Sequence, residues 1–330
     1  MKKIGITTTV PVEVLIAAGY EVVDLNNIFI TDENYNEYID LAERDGFPKS
    51  CCAWKKGLYG VCLKHNIKEV IGVTEGDCSN SKALEEVLSL KGIKVYPFAY
   101  PRSRKREDIK KSIDTFMSYF QVNIKEVEEV RKKVNEVRTH IIELDELTYK
   151  ENKATGFENH LYQVCASDFN SNYMTFKNEL LNKIKEIKKR APINKRLRLG
   201  YIGTPPITCD LYDFVHNFDA HFVYNEVQRE FSFPRANFAK DIYEQYKDYT
   251  YPYNITFRLM EIKKQIKERK IDGIIHYTQA FCYRQIEDII IKKELNVPVL
   301  NIEGDKLKVL DARTKLRIEA FLDMLYDLKV

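Results

Sequence analysis

Short apolar runs alternate with longer segments of helical periodicity through the first hundred residues. The apolar runs predict four strands, at Ile4–Thr8, Glu21–Leu25, Glu69–Thr74 and Lys94–Phe98. The other segments predict four helices, at Val12–Ala18, Asn34–Arg44, Ala53 to about His65, and Ser81–Leu90. Strands that alternate with helices are typical of parallel βαβ units, so we predict an α/β fold.

The pattern changes after residue 105. Glycine is almost absent from the next stretch, charge is dense, and apolar residues recur at helical spacing. The apolar stripe consists of Ile124, Val127, Val130, Val134, Val137 and Ile141. Apolar positions three and four residues apart are typical of an amphipathic helix. We therefore predict a helical connector, which most simply acts as scaffold.

Strands and helices alternate again in the last part of the chain. The predicted strands are Leu199–Ile202, Phe222–Asn225, Gly273–Thr278 and Val297–Ile302. The predicted helices are Phe257–Arg269, Gln285–Lys293 and Ala312–Leu328. We accordingly predict two Rossmann-like parallel-sheet domains joined by the helical connector. The first domain covers residues 1–105, the connector 106–192, and the second domain 193–330.

An internal repeat relates the two predicted sheets. Residues Glu69–Phe98 align with Gly273–Ile302 at an offset of 204 residues, without a gap. Strand, loop, cysteine, helix and strand follow in the same order, and Cys78 aligns with Cys282. Repeats of this kind suggest two similar open-sheet domains.

Three cysteines are predicted at the starts of helices, where a thiol can become a metal ligand. Cys78 and Cys282 each lie four residues beyond a predicted strand, and Cys52 precedes the helix that begins near Ala53. A helix N-terminus favours the thiolate, which is the form that ligates metal. Ligands of open α/β sheets bind beyond the carboxyl ends of the strands. We therefore predict that these three thiolates, drawn from both domains, hold a cluster at the domain interface.

The remaining cysteines have a simpler interpretation. A lone cysteine is most often a small buried apolar residue, and we predict this for Cys165, within a connector helix, and for Cys62. The chain has no CxxC pair, which argues against a zinc finger. In a reducing cytosol the seven cysteines would form no disulfide framework.

Composition excludes several classes of protein. A formal net charge of +3 is too small for a typical nucleic-acid-binding protein. No apolar stretch has the length of a membrane span. Met1-Lys2-Lys3 leads directly into the first predicted strand, with no signal peptide. We therefore expect a cytoplasmic protein that binds neither nucleic acid nor membrane.

Several segments resemble the 2-hydroxyacyl-CoA dehydratase family, which includes benzoyl-CoA reductase subunits and double-cubane cluster proteins. The family pattern of a cysteine followed by Tyr-Gly resembles Cys52 with Tyr59-Gly60, seven residues later, and singles out Cys52 over Cys51. Other similar segments are Gly76-Asp77-Cys78-Ser79, Ala280-Phe281-Cys282, the helix Pro11–Gly19, the strand and turn Pro298–Asp305, and the closing helix Arg313–Tyr326.

The resemblance implies a 4Fe-4S cluster held by Cys52, Cys78 and Cys282, in a homodimer or a heterodimer with a related subunit. It also implies a separate ATP-dependent activator, whose low-potential electron drives reductive or radical dehydration of a CoA thioester. The absence of GxxxxGK and GxGxxG loops from the chain is consistent with an external activator.

Two alternatives stay open within the resemblance. Double-cubane relatives carry an 8Fe-9S cluster, for which Cys51, Cys62 and Cys209 are further candidate ligands. Under this alternative, the chain is a double-cubane cluster reductase that acts on small molecules. The other alternative is a non-catalytic, cluster-carrying electron-transfer subunit.

The sequence assigns no catalytic acid or base, although several residues are candidates. Glu75 and Asp77 flank Cys78 and are able to exchange protons, but acidic turn residues are common. His276 lies in a predicted strand and belongs either to the core or to the cleft. The basic run at residues 101–106 either holds CoA phosphates or simply begins a helix.

Overall fold

Two four-stranded sheets, both entirely parallel, organise the chain. In the computed structural model, which describes residues 2–329, the contacts define two units. The first unit contains the described residues up to His140, with Cys165–Glu179 and Phe231–Asn254. The second contains Ile141–Val164, Leu180–Glu230 and the residues from Ile255 onward. The predicted connector contributes to both units, and its boundaries at 105 and 192 stay a prediction.

The strands have the same order in both sheets. In the first unit they are β1 (Lys2–Ile6), β2 (Tyr20–Asp24), β3 (Glu69–Glu75) and β4 (Lys94–Ala99), in the order β2-β1-β3-β4. In the second unit they are β5 (Leu197–Gly203), β6 (Ala220–Asn225), β7 (Gly273–Gln279) and β8 (Val299–Gly304), in the order β6-β5-β7-β8. The predicted α/β class with two Rossmann-like parallel sheets is confirmed.

Helices connect the consecutive strands of each sheet, as parallel strands require. Those before the middle of the chain are α1 (Val12–Ala17), α2 (Leu25–Thr31), α3 (Tyr35–Arg44), α4 (Ala53–Lys64), α5 (Ser79–Leu90), α6 (Arg106–Phe120) and α7 (Ile124–Tyr149). The later ones are α8 (Gly156–Val164), α9 (Tyr173–Lys188), α10 (Leu211–His216), α11 (Glu226–Phe231), α12 (Ile242–Lys247), α13 (Ile255–Arg269), α14 (Asp288–Glu294) and α15 (Ala312–Leu328).

The internal repeat is visible in the strand positions. β3 and β7 have the same length and begin 204 residues apart, and each lies inside its sheet. Val70, Ile71 and Val73 of β3 are buried, and so are Ile274 and Ile275 of β7. Continuous apolar runs of this kind are typical of parallel strands with helices on both faces.

Two local predictions are wrong. Cys165 was predicted within a helix, but α8 ends at Val164 and Cys165 begins a 3₁₀ turn. The Asp168 side chain accepts the Asn170 amide, and such a local bond competes with continuing the helix. The helix predicted at Gln285–Lys293 is divided into the 3₁₀ turn Tyr283–Gln285 and α14.

The predicted stripe of α7 is buried at most of its positions. Val127, Val134, Val137 and Ile141 are fully buried, while Ile124, near the start of the helix, is exposed. The stripe therefore packs as scaffold, as its periodicity indicates. Every helix within residues 2–329 is either too short or too polar to span a lipid bilayer.

Asp24 and Asp168 form a buried pair of carboxyl groups in the first unit. Asp168 Oδ2 accepts a hydrogen bond from the Asp24 amide at 2.7 Å, and the Asp24 side chain caps α2. Burial, followed by the negative charge of Asp24, raises the pKa of Asp168 to about 7. Asp168 therefore keeps its proton in the folded state at pH values where the unfolded chain has lost it.

This proton makes stability depend on pH. Because the folded state binds it more tightly, stability is greatest below the ordinary aspartate pKa and falls as the pH rises towards 7. The side chain of Asp168→Asn stays neutral, so we expect this variant to reduce the pH-dependent fall in the free energy of unfolding by roughly 1–3 kcal/mol. Urea unfolding at about pH 4.5 and about pH 7.5 measures the difference. Asp40→Asn, an exposed change in α3, is the control, and equal pH dependence in both variants would contradict the prediction.

Candidate functional site

Each of Cys52, Cys78 and Cys282 is the residue that immediately precedes a helical segment. In the first unit Cys52 precedes α4 and Cys78 precedes α5. In the second unit Cys282 precedes the 3₁₀ turn Tyr283–Gln285. Cys78 and Cys282 follow the carboxyl ends of the equivalent strands β3 and β7. The structure thus brings two of the predicted ligands into one unit and puts the third at the equivalent junction of the other.

The turn between β3 and α5 depends on Gly76. Its φ of +100° lies in the region that L side chains rarely adopt. A Cβ atom there would lie 2.9 Å from the Cβ atoms of Pro252 and Tyr100. Any side chain at this position would therefore displace the turn that carries Asp77 and Cys78.

A buried polar network connects the start of α4 to the start of α5. Lys55 Nζ donates to Asp77 Oδ2 at 2.9 Å, and Ser81 Oγ donates to the same oxygen at 2.6 Å. Asp77 Oδ1 accepts the Cys78 amide at 2.7 Å. Cys78 Sγ lies 3.7 Å from Ser81 Oγ. Asp77 thereby connects the backbone of Cys78 to Lys55 in the first turn of α4, while the Cys78 thiol lies near Ser81 in the first turn of α5.

Lys55 remains a buried cation close to two thiols. Burial disfavours its charged form, but the charges of Asp77, Cys78 and Cys52 outweigh burial and raise the pKa of Lys55 above its ordinary value. Burial likewise opposes ionisation of Asp77, yet Lys55 and the bond from Ser81 lower the pKa of Asp77. The ion pair is therefore charged at neutral pH, and its ammonium is within electrostatic reach of both cysteines.

Cys51 and Glu85 lie near the same network. Burial raises the pKa of Cys51, the neighbouring lysines oppose that shift, and a charged Cys78 adds to it. Burial, followed by the charge of Asp77, raises the pKa of Glu85 to about 7. Glu85 Oε1 is buried without a hydrogen-bond partner among residues 2–329. A half-buried carboxyl group with this pKa is suited to exchanging a proton at neutral pH.

Glu85 was not among the candidates predicted from the sequence, although one signal marks it. A Cβ atom on Gly72 of β3 would lie 2.3 Å from Glu85 Cδ. A glycine inside a strand often marks a place where another group approaches closely. Lys55 had no signal of its own, because its pairing with Asp77 joins residues that are 22 positions apart.

A chain of buried ion pairs supports the equivalent junction in the second unit. Arg284, two residues beyond Cys282, contacts the Glu287 carboxylate at 3.2 Å. Glu287 also pairs with Arg258, which binds both carboxylate oxygens of Glu226 at 2.7 and 2.9 Å. Glu226 in turn accepts the amide at the end of β5 at 3.0 Å. The Cys282 segment is therefore fixed to the carboxyl edge of its own sheet.

The structure also shows the surroundings of three further residues that the sequence offered as candidates. His276 is fully buried in β7, and its Nδ1 lies 2.9 Å from Asp288 Oδ1. Cys62 is buried in α4, where burial raises its pKa to about 12, as expected of a core residue. Cys209 is exposed, and its amide donates to the Lys308 carbonyl at 2.7 Å.

The basic run at residues 101–106 is largely engaged within the first unit. Arg104 Nε donates to the Lys247 carbonyl at 2.7 Å, and Arg106 pairs with Asp241. Arg106 is also the first residue of α6. These contacts favour the interpretation of this run as a helix start over a phosphate site.

The sequence profile described as 2-hydroxyglutaryl-CoA dehydratase, D-component, matches residues 7–325. The chain belongs to this dehydratase family. The match includes all three cysteine segments and confirms the resemblance seen in the sequence. A search of curated proteins found no match to the chain. Family membership identifies the chain as a component of the 2-hydroxyacyl-CoA dehydratase type.

The donor set of this dehydratase component fits an iron–sulfur cluster in chemical type. Cysteine thiolates are the soft ligands that iron–sulfur clusters use, and all seven cysteines within the described residues are free thiols. Within residues 2–329 no group of three or more His, Cys, Asp and Glu side chains is arranged to hold a metal ion. Cys52 and Cys78 share the cation Lys55, which is favourable for ligands that carry negative charge.

Proposed function

We propose that this chain is the iron–sulfur component of a 2-hydroxyacyl-CoA dehydratase, with one 4Fe-4S cluster ligated by Cys52, Cys78 and Cys282. The observation that carries the proposal is the position of these cysteines at the starts of helical segments, two of them at equivalent junctions of a repeated fold. A bound cluster would supply one low-potential electron for dehydration of a CoA thioester.

The surroundings of the cysteines support a single cluster over the double-cubane alternative. An 8Fe-9S cluster would need further thiolates, for which Cys51, Cys62 and Cys209 are the candidates. Cys62 is 1% exposed and its pKa is raised to about 12, so it is poorly suited to ligation. Cys209 is exposed in the loop after β5, in the second unit. Cys51 alone lies beside the proposed ligands.

The side chains around Cys52 and Cys78 have distinct roles in the proposed site. The Lys55–Asp77 pair and Ser81 orient the Cys78 segment. Glu85 is the group that we propose to hold an exchangeable proton near the site, because its pKa is raised to about 7. Trp54 packs edge-on against Phe29 with ring centroids 5.3 Å apart, and this apolar contact limits the access of water to the start of α4.

The proposal includes partners. The family description names a D-component, so we propose a related partner subunit, in a heterodimer or a homodimer. We also propose an ATP-dependent activator that supplies the electron, and a cytoplasmic location, since cluster ligands have to stay reduced.

We expect the protein to be brown and sensitive to oxygen when it is purified without air. Iron and sulfide analysis, together with visible absorbance, tests this expectation. About four irons per chain favour the single cubane, and about eight the double cubane. A colourless, iron-free anaerobic preparation that also resists reconstitution with iron and sulfide would contradict the proposed function.

Calorimetry with a CoA thioester separates an enzyme component from an electron carrier. Binding by the cluster-loaded protein, with its partner subunit, supports the dehydratase. A loaded complex that binds no CoA ester but passes electrons to an acceptor protein would favour the cluster-carrying alternative.

A further inference from the structure

We propose that the Lys55–Asp77 ion pair is a positioning element that sets the charge experienced by the thiolates of Cys52 and Cys78, and so the reduction potential of the cluster they would hold. The inference rests on the proposed function and deepens it. It assigns a role to two residues that make no bond to iron themselves.

The position of Lys55 in its helix supports this role. The first turn of α4 reads Ala53-Trp54-Lys55-Lys56 and contains no acidic residue. The N-terminus of a helix carries partial positive charge, so acidic side chains are favoured there and lysines are disfavoured. A buried lysine at this place is favourable where anionic groups gather: Asp77 is one such group, and a cluster ligated by Cys52 and Cys78 would be another.

The two carboxylate oxygens of Asp77 bind different partners. Its Oδ1 holds the Cys78 amide at 2.7 Å, and its Oδ2 holds Lys55 and Ser81. Lys55 and Asp77 are largely buried, with side chains 10% and 18% exposed, so water screens their charges weakly. Loss of the lysine leaves a buried negative charge beside the thiolates, and loss of the aspartate leaves a buried positive one.

These two losses have opposite electrostatic consequences. A reduced cluster carries one more negative charge than an oxidised cluster, so a nearby cation stabilises the reduced form and a nearby anion destabilises it. Lys55→Met therefore lowers the reduction potential, and Asp77→Asn raises it. A purely structural role predicts no such opposition, because both changes break the same bond.

The test is a redox titration, followed by electron paramagnetic resonance, of cluster-loaded protein and four variants. We expect Lys55→Met to lower the ratio of reduced to oxidised cluster roughly tenfold at a fixed potential, equal to about 59 mV for one electron. We expect Asp77→Asn to raise this ratio by a similar factor. Lys55→Arg keeps the charge and should stay near the wild type. The double variant Lys55→Met with Asp77→Asn should return towards the wild-type ratio.

A matched control lies at the other end of the same helix. Lys64 pairs with Glu37 on the surface, so Lys64→Met and Glu37→Gln change the net charge equally without touching the site. We expect neither to move the ratio by as much as twofold, since exposed charges are screened.

The outcomes separate this inference from the proposed function. A wild-type protein without a cluster overturns both. A wild-type cluster whose potential shifts in the same direction in Lys55→Met and Asp77→Asn, or in neither, overturns the inference alone. If Lys55→Met or Asp77→Asn fails to retain iron, the reduction potentials of Lys55→Arg and of the double variant test the inference instead. A shift in Lys55→Arg as large as that expected for Lys55→Met overturns the inference.

Discussion

Serine in place of Cys52, Cys78 or Cys282 is expected to remove most of the iron from the anaerobically purified protein. The serine hydroxyl is a hard ligand that stays protonated, so it replaces a thiolate poorly. Each of the three cysteines immediately precedes a different helical segment, and each is proposed to supply one of three protein ligands. Loss of any one therefore leaves the cluster with two, and we expect less than about a quarter of the wild-type iron to remain.

The same substitutions should lower thermal stability only when iron is available. A group that binds the folded state alone stabilises it, by about 3–4 kcal/mol when it is well above its dissociation constant. For a chain of this size that corresponds to a fall in melting temperature of about 5 °C or more. After iron has been removed from all samples, the serine variants and the wild type should melt together.

Cys165 and Cys209 provide the control substitutions. Burial raises the pKa of Cys165 to about 12, so it is poorly suited to ligation, while Cys209 is exposed. We expect serine at either position to retain full iron. If Cys282→Ser retains full iron and an unchanged melting temperature, the second unit contributes no ligand. The repeat of β3 and β7 would then reflect the fold alone.

Methionine in place of Arg269 is expected to destabilise the protein by about 3–5 kcal/mol, because it leaves a carboxylate buried without its main partner. Arg269 is 1% exposed and binds both oxygens of Asp145, at 2.8 and 2.6 Å. It also donates to the Val223 carbonyl at 2.6 Å and lies 4.1 Å above the ring of Tyr149. One side chain thus connects α7, α13 and β6 of the second unit.

The pH dependence of this variant has a definite sign. Burial alone would raise the pKa of Asp145, but Arg269 and then Arg229 lower it to about 2. A depressed pKa contributes stability above the ordinary aspartate value, and the contribution is lost as the pH falls through about 2. Arg269→Met should raise the pKa of Asp145 towards its ordinary value, so the destabilisation of the variant relative to the wild type should be largest near neutral pH and shrink as the pH falls below the ordinary aspartate pKa.

Lys263→Met in the same helix is the control for Arg269. Lys263 pairs with Glu294 at 2.8 Å, but both side chains are nearly half exposed. Exposed pairs of this kind contribute about 0–1 kcal/mol. Urea unfolding of both variants measures the difference, and a loss for Arg269→Met no larger than that for Lys263→Met would show that the buried pair is not a major stabilising element of the second unit.

The periodicity of apolar residues predicted the bounds of a helix correctly where a capping residue marks its start. The helix Ala312–Leu328 matches α15 at both ends, since Asp311 caps it through the Thr314 amide. The helices α10, α11 and α12 have six residues each and were not predicted, because so short a segment shows no clear helical period. The helix α1 is equally short but was predicted, since Pro11 and Gly19 mark its ends.

Contacts between distant parts of the sequence were beyond such prediction. The segment containing Tyr246 belongs to the first unit, where its hydroxyl donates to Glu13 Oε2 at 2.7 Å across 233 positions. Lys55 and Asp77 meet for the same reason, through the folding of α4 against the turn after β3. The positions of Cys52, Cys78 and Cys282 before helical segments were predictable because the strand and helix pattern marks these junctions, while their role as ligands stays a prediction.

The most direct test of the central claim is an anaerobic crystal structure of the loaded protein, with anomalous scattering recorded at the iron absorption edge. We predict one cluster-sized iron peak within bonding distance of the sulfurs of Cys52, Cys78 and Cys282. An iron peak bonded to other residues, or iron-loaded crystals in which these three sulfurs bind no iron, would contradict the account.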